Sequence, residues 1–193
     1  HSYATWDLPI EQAMIAKIMK DDGADFADVN LISTSVYDIV AALNTDIDSV
    51  WIYYAWDGVK TELEGLETNF FYFSDYGEEL DNYSPVIIAN NKLIEEDPET
   101  VEAFVKATQK GYEYAIANPE ESAKILVKLN EGLDEEICIA SQNWLATRYQ
   151  ADADKWGVFD QERWDAFYTW VYENGLCEYE IPAGFGFTNE FID

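Results

Sequence analysis

Two short stretches of this chain set aromatic rings beside a single carboxylate. One is Trp51-Ile52-Tyr53-Tyr54-Ala55-Trp56-Asp57-Gly58 and the other is Thr5-Trp6-Asp7. Tyrosine and tryptophan offer flat apolar faces with a polar tip. An ionised aspartate accepts hydrogen bonds from an amine, and the hydroxyls of Ser33, Thr34 and Ser35 fix orientation. Together these groups suit recognition of a small flat ligand. The expected ligand contacts are Thr5, Trp6, Asp7, Ser33, Thr34, Tyr53, Tyr54, Trp56 and Asp57, with Trp6 and Trp56 foremost. A plainer reading stands beside this one. Trp51 and Ile52 are core residues, Asp7 and Asp57 are caps or first-turn acids of the helices that follow, and Ser33 to Ser35 only cap the next helix. In an extended strand Tyr53 and Tyr54 point to opposite faces, so at most one of them reaches a ligand.

The residues do not point to catalysis. The lone histidine is His1, and no His/Cys/Asp/Glu grouping has metal-ligand spacing. Cys138 and Cys177 form neither a zinc nor a redox motif and read as isolated thiols. The expected catalytic residues, metal ligands and cofactors are none.

In the first eighty residues, strand-like runs alternate with helices. Residues 2–4 read as a strand, followed by a helix with Pro9 in its first turn, where a missing N–H is harmless. Helical spacing of apolar residues continues to about Lys20. Residues 29–33, 50–54 and 70–73 read as further strands. Residues 36–43, capped by Ser35, and 57–66 read as helices. Strands separated by helices of this length predict a parallel sheet with helices on its faces, an α/β fold. Ligands of such sheets sit beyond the carboxyl ends of the strands, where the Thr5–Asp7, Ser33–Ser35 and Tyr53–Asp57 turns would converge.

After residue 80 the pattern becomes helical. Asp97-Pro98-Glu99 and Asn118-Pro119-Glu120-Glu121 are helix starts, and Gly175 closes the last long helix. Trp144, Trp156, Trp164 and Trp170 pack this half. Residues 85–89 read as one apolar strand among helices. A strand without neighbours leaves its backbone groups unpaired. We therefore expect the chain to be the C-terminal portion of a longer two-lobe protein, with residues 1–80 as one lobe and 81–193 as a crossover and helical part of the other. The exposed edge at 85–89 invites edge pairing or strand exchange into a dimer.

Composition narrows the partners. The chain has 193 residues, 39 acids against 11 bases and a net charge of −28, shared about equally on either side of residue 80. Nucleic-acid binding requires a basic face and is excluded. Anionic membrane surfaces are disfavoured for the same reason, and no run approaches the roughly 20 apolar residues of a membrane span. The only arginines, Arg148 and Arg163, lie far along the helical half. With acids at the helix mouths, a neutral or weakly basic heterocycle fits better than an anion.

The stretches YATWDLPIEQAM, WIYYAWDG, YSPVIIANNKLIEEDPETVEAFVKATQKGYEYAIANPEESAKIL, ASQNWLATRYQADADKWG and TNEFI resemble the solute-binding proteins of bacterial ABC importers. The branch they resemble binds thiamine pyrimidine precursors and has riboflavin-binding relatives. The resemblance implies a type II periplasmic-binding-protein-like fold, with one near-complete α/β lobe and the mainly helical C-terminal part of the other. It implies a ligand in an interlobe cleft, a membrane permease as partner and an extracytoplasmic location, in the periplasm or on a lipoprotein anchor carried by the precursor. Segment FGFTNEF resembles the family's closing strap. Competing expectations are a riboflavin binder, a sulfonate or nitrate binder, an enzyme of pyrimidine synthesis, and a fragment acting only as an interaction domain.

Overall fold

The computed structural model describes residues 1–192. The chain forms two compact units: residues 1–83 with 160–185, and residues 84–159 with the segment from Gly186 onward.

The first unit is built on a three-stranded parallel sheet of order β2-β1-β3: β1 (Ser2–Thr5), β2 (Asn30–Ser33) and β3 (Ser49–Val50). Tyr3 pairs with Leu31 on one side and Ser49 on the other. All four residues of central β1 are buried. Helix α1 (Pro9–Asp21) starts with proline at its first position, as the sequence predicts. Its Met14 and Ile18 pack with Leu80, and with Trp170 and Val171 of α8 (Gln161–Glu173), to form the core. Ile10, Trp51, Phe73, Phe167 and Leu176 surround that cluster. Helices α2 (Ile39–Leu43) and α3 (Val59–Leu63) are one turn each.

Several sequence expectations are corrected here. The third strand ends at Val50 rather than Tyr54, because the chain winds into a wide turn over Tyr54–Gly58. Residues 70–73 make no strand. They run into a 3₁₀ turn at Phe73–Tyr76, and their rings meet one another edge-on instead of facing a neighbouring strand. Helix α2 is capped by Asp38, whose carboxylate accepts from the amides of Val40 and Ala41 at 3.1 Å, and not by Ser35.

The second unit contains α4 (Asn91–Glu96), α5 (Pro98–Ala117), α6 (Pro119–Leu129) and α7 (Glu135–Ala146). Asp97 caps α5 through the Thr100 amide at 3.2 Å, and Asp134 caps α7 through the Ile137 amide at 3.0 Å. Tyr112 stacks on Trp156 at 4.7 Å, with Tyr149 edge-on at 4.7 Å. The Asn189 amide brackets Phe159, accepting from its N–H and donating to its carbonyl, each at 2.9 Å. Residues 85–89 are not a strand: among the described residues they pair with no other segment, and Ile88 is 88% exposed. An apolar segment without a partner strand stays outside any sheet.

Met14 is 2% exposed at the centre of the first unit's core. Met14→Ala is expected to lower the unfolding free energy by about 3 kcal/mol, through lost transfer energy and the cavity left behind. Urea denaturation followed by tryptophan fluorescence measures this, and a change below about 1 kcal/mol would contradict the assigned core.

Candidate ligand site at the sheet rim

The chain leaves each parallel strand at the same edge of the sheet. At the end of β1, Thr5 is fully buried, and its hydroxyl donates to Glu11 at 3.0 Å and accepts from the Asp7 amide at 2.9 Å. The structure places this expected contact residue inside the turn, with both functions of its hydroxyl taken up by Glu11 and the Asp7 amide. Asp7 follows with φ of +60°. This left-handed conformation is uncommon outside glycine, although aspartate tolerates it better than most residues. The conformation lets the Asp7 carboxylate accept from the Ser33 hydroxyl across the strand ends. Asp7 is therefore not a cap, and the cap position of α1 belongs to Leu8. The Thr34 amide donates to the Thr5 carbonyl at 3.2 Å, which ties the second turn to the first.

Glu11, in the first turn of α1, is 1% exposed. It accepts from the Tyr3 hydroxyl at 2.6 Å, the Thr5 hydroxyl at 3.0 Å and the Trp6 amide at 3.1 Å. The Leu8 amide approaches at 3.4 Å. Every neighbour donates, the arrangement an ionised carboxylate requires. Burial, followed by the bond to Glu11, holds the Tyr3 phenol well above the ordinary tyrosine range, so it remains a donor. Glu11 was not among the site residues expected from sequence. Its signal is its spacing, three residues after Leu8 and two after the helix-opening Pro9, where a glutamate reaches back to the amides before its helix.

Trp6 stands at the rim, 39% exposed, with its ring 5.9 Å from Trp51. Trp51 in turn meets Phe73 at 4.2 Å, so it is a core residue that backs a rim residue.

The third turn forms the other group. The Val59 amide donates to the Tyr54 carbonyl five residues back as well as to the Trp56 carbonyl, and the Asp57 amide donates to Tyr53 at 3.1 Å. Such i→i+5 turns are rare and recur at functional sites. Winding removes the strand alternation of Tyr53 and Tyr54. Tyr53 is 62% exposed. Tyr54 folds back, its ring 4.5 Å from Phe70 and its hydroxyl bonded to Glu62. Trp56 is 41% exposed. Asp57 lies inside the wound turn and is not the cap of α3, whose cap position is Gly58. Burial pushes the Asp57 carboxyl above the ordinary aspartate range. The Tyr53 backbone amide and the charge of Lys60 pull it down, and Asp38 adds to the rise. Lys60 is held by Asp38 at 3.0 Å and Glu64 at 3.7 Å.

The structure thus joins Trp6, Asp7, Ser33 and Thr34 in one hydrogen-bonded group and winds Tyr53, Tyr54, Trp56 and Asp57 into a second. The first group spans the ends of β1 and β2, and the second follows β3, which pairs with β1 on its other side. Two residues beyond the sequence reading belong with them: Glu11 beneath the first turn, and Phe70 behind the second.

Comparison with known proteins decides the family. Residues 1–122 match the family described as NMT1/THI5 like. The chain belongs to this family. Its mixed α/β architecture, with a small parallel sheet and many helices, agrees with the periplasmic-binding-protein-like fold of NMT1/THI5-like proteins. The chain is also similar to the formylaminopyrimidine-binding protein of Halalkalibacterium halodurans, with 25% identity over 190 residues. The match takes in 94% of this chain and 56% of the relative, so the chain spans about half the length of the curated relative it matches. That relative is named for binding, not for catalysis. Among the described residues no helix is long and apolar enough to cross a membrane.

Two expectations follow from the third turn. A Cβ on Gly58 would come within 2.7 Å of the Tyr54 ring, so Gly58→Ala forces that ring away. The expected cost is about 1–3 kcal/mol, read by chemical denaturation, together with a displaced Tyr54 ring signal by NMR. For Asp57 the raised value means its ionisation opposes folding. The cost is absent below the ordinary aspartate value and complete above the raised one, so stability from this group falls as pH rises through that window. Asp57→Asn is expected to stabilise the protein at neutral pH and to be neutral in acid. Thermal melts at the two pH values check the sign, and equal shifts at both would contradict it.

Proposed function

We propose that this chain belongs to the solute-binding component of an ABC importer and takes a thiamine pyrimidine precursor, or a related planar aminoheterocycle, at the rim described above. The observation that carries the reading is the half-buried Asp57 carboxylate wound into one turn with exposed Tyr53 and Trp56, on the chain that leaves β3, while the Trp6 turn leaves neighbouring β1. Membership in the NMT1/THI5-like family and the likeness to a formylaminopyrimidine-binding protein support it. Trp6 and Trp56 supply ring faces, Asp57 accepts from the exocyclic amine, and Ser33, Thr34 and Asp7 set the orientation. In this reading residues 1–80, joined by α8, supply the lobe that bears the rim, and the remaining residues belong to the other lobe. The activity is capture without chemistry, outside the cytoplasm, with delivery to a membrane permease, by a protein that is either periplasmic or anchored to the membrane through its precursor.

Isothermal titration of the protein in its full natural length, with a formylaminopyrimidine, riboflavin and taurine as arms, tests this. The expected result is saturable heat with the pyrimidine and none with taurine. Tight riboflavin binding with no pyrimidine response would move the reading to the flavin branch, and silence in all arms would overturn it. Trp56→Ala is expected to weaken pyrimidine binding about tenfold by removing one stacked face while leaving the melting temperature unchanged. Binding is also expected to weaken as pH falls through the raised Asp57 value, because the neutral acid no longer serves as a two-oxygen acceptor.

A further inference from the structure

Glu11 is buried beneath the rim, 1% exposed, yet it is the most heavily bonded side chain there. Its donors come from one continuous segment: Tyr3 and Thr5 of β1, then the amides of Trp6 and Leu8. The carboxylate therefore grips the backbone on both sides of Asp7, the residue with φ of +60°. Thr5 is shared between the two, donating to Glu11 and accepting from the Asp7 amide. A left-handed non-glycine residue persists only where its surroundings over-determine it; here Glu11 holds the residues on either side of Asp7, while Thr5 and Ser33 bond Asp7 itself. Above the carboxylate, the turn presents the Trp6 ring against Trp51 and the Asp7 carboxylate against Ser33.

We propose that Glu11 is a positioning residue of the binding rim: it fixes the Trp6-Asp7 turn and thereby sets the placement of the Trp6 face and of the Asp7–Ser33 pair. This rests on the reading of the rim as the ligand site. Its substance is separable from that reading, because it concerns where Trp6 stands. Replacing the carboxylate by an amide keeps the volume and turns one acceptor into a donor facing donors. The turn then has fewer bonds than its strained residue requires, and Trp6 is released to several orientations. Bulk packing in the core around Met14 and Trp170 is untouched by the change.

The test has two arms. In the first, Glu11→Gln and the milder Thr5→Val are labelled with 5-fluorotryptophan. The Trp6 resonance is assigned by its loss in Trp6→Ala. Both variants are expected to shift or split that resonance and to leave those of Trp144 and Trp170 in place. In the second, a formylaminopyrimidine is titrated into Glu11→Gln made alone and together with Trp6→Ala. The expected loss is about tenfold in affinity alone and less than twofold in the Trp6→Ala background, since a residue acting through Trp6 has little left to act on. An unmoved Trp6 resonance in both variants overturns the proposal, as does an equal affinity loss in both backgrounds. If the unsubstituted protein takes no pyrimidine, the functional reading fails, and the fluorine spectra still decide the role of Glu11. If Glu11→Gln does not fold, Thr5→Val carries both arms.

Discussion

A single buried carboxylate organises the edge of the sheet on which everything else depends. Glu11 belongs to α1, but its bonds run back into β1 and the turn between them. A strand-to-helix turn must satisfy the amides that neither element uses. Here a charged side chain satisfies two of them and two buried hydroxyls at once. Charge-assisted bonds are stronger than neutral ones, and removing the acceptor would leave several donors without water or partner. The left-handed Asp7 and the outward Trp6 are consequences of that arrangement.

The second turn of interest obeys a different constraint. Between β3 and α3 the chain inserts one extra residue per turn, which draws Asp57 partly out of solvent and leaves Tyr53 and Trp56 outside. Partial burial makes the carboxylate costly to ionise and correspondingly receptive to a donor that replaces lost water. Lys60 is close enough to moderate the effect, but Asp38 and Glu64 engage it. The rim therefore keeps an acidic character, in agreement with a chain of net charge −28 and with what the proposed binding of an amine rather than an anion requires.

How much of this was legible in the sequence differs by element. Long helices were clear where each carries its own start signal: Pro9 for α1, Asp97-Pro98 for α5 and Asn118-Pro119 for α6. The parallel sheet was legible from the alternation of short apolar runs with helices. The apolar runs at 70–73 and 85–89 misled, since hydrophobicity alone cannot supply a partner strand, and aromatic residues at 70–73 found each other instead. Tyr53 and Tyr54 look like strand residues, and only the following Trp-Asp-Gly, with a glycine that admits the Tyr54 ring, permits the wound turn. Trp6, Asp7, Trp56 and Asp57 were visible as chemistry. That Thr5 is buried within its turn was not legible, because residue type does not reveal which face is buried. Glu11 escaped notice because a first-turn acid is ordinarily a surface residue.

The central claim is that rings and a desolvated acid at this sheet edge hold a planar amine, and a structure of the protein in its full natural length with a formylaminopyrimidine bound tests it most directly. The account predicts the heterocycle in stacking contact with Trp6 or Trp56 and its exocyclic nitrogen within hydrogen-bonding distance of the Asp57 carboxylate. A ligand seated away from both tryptophans, with Asp57 still bonded only within its own turn, would contradict it.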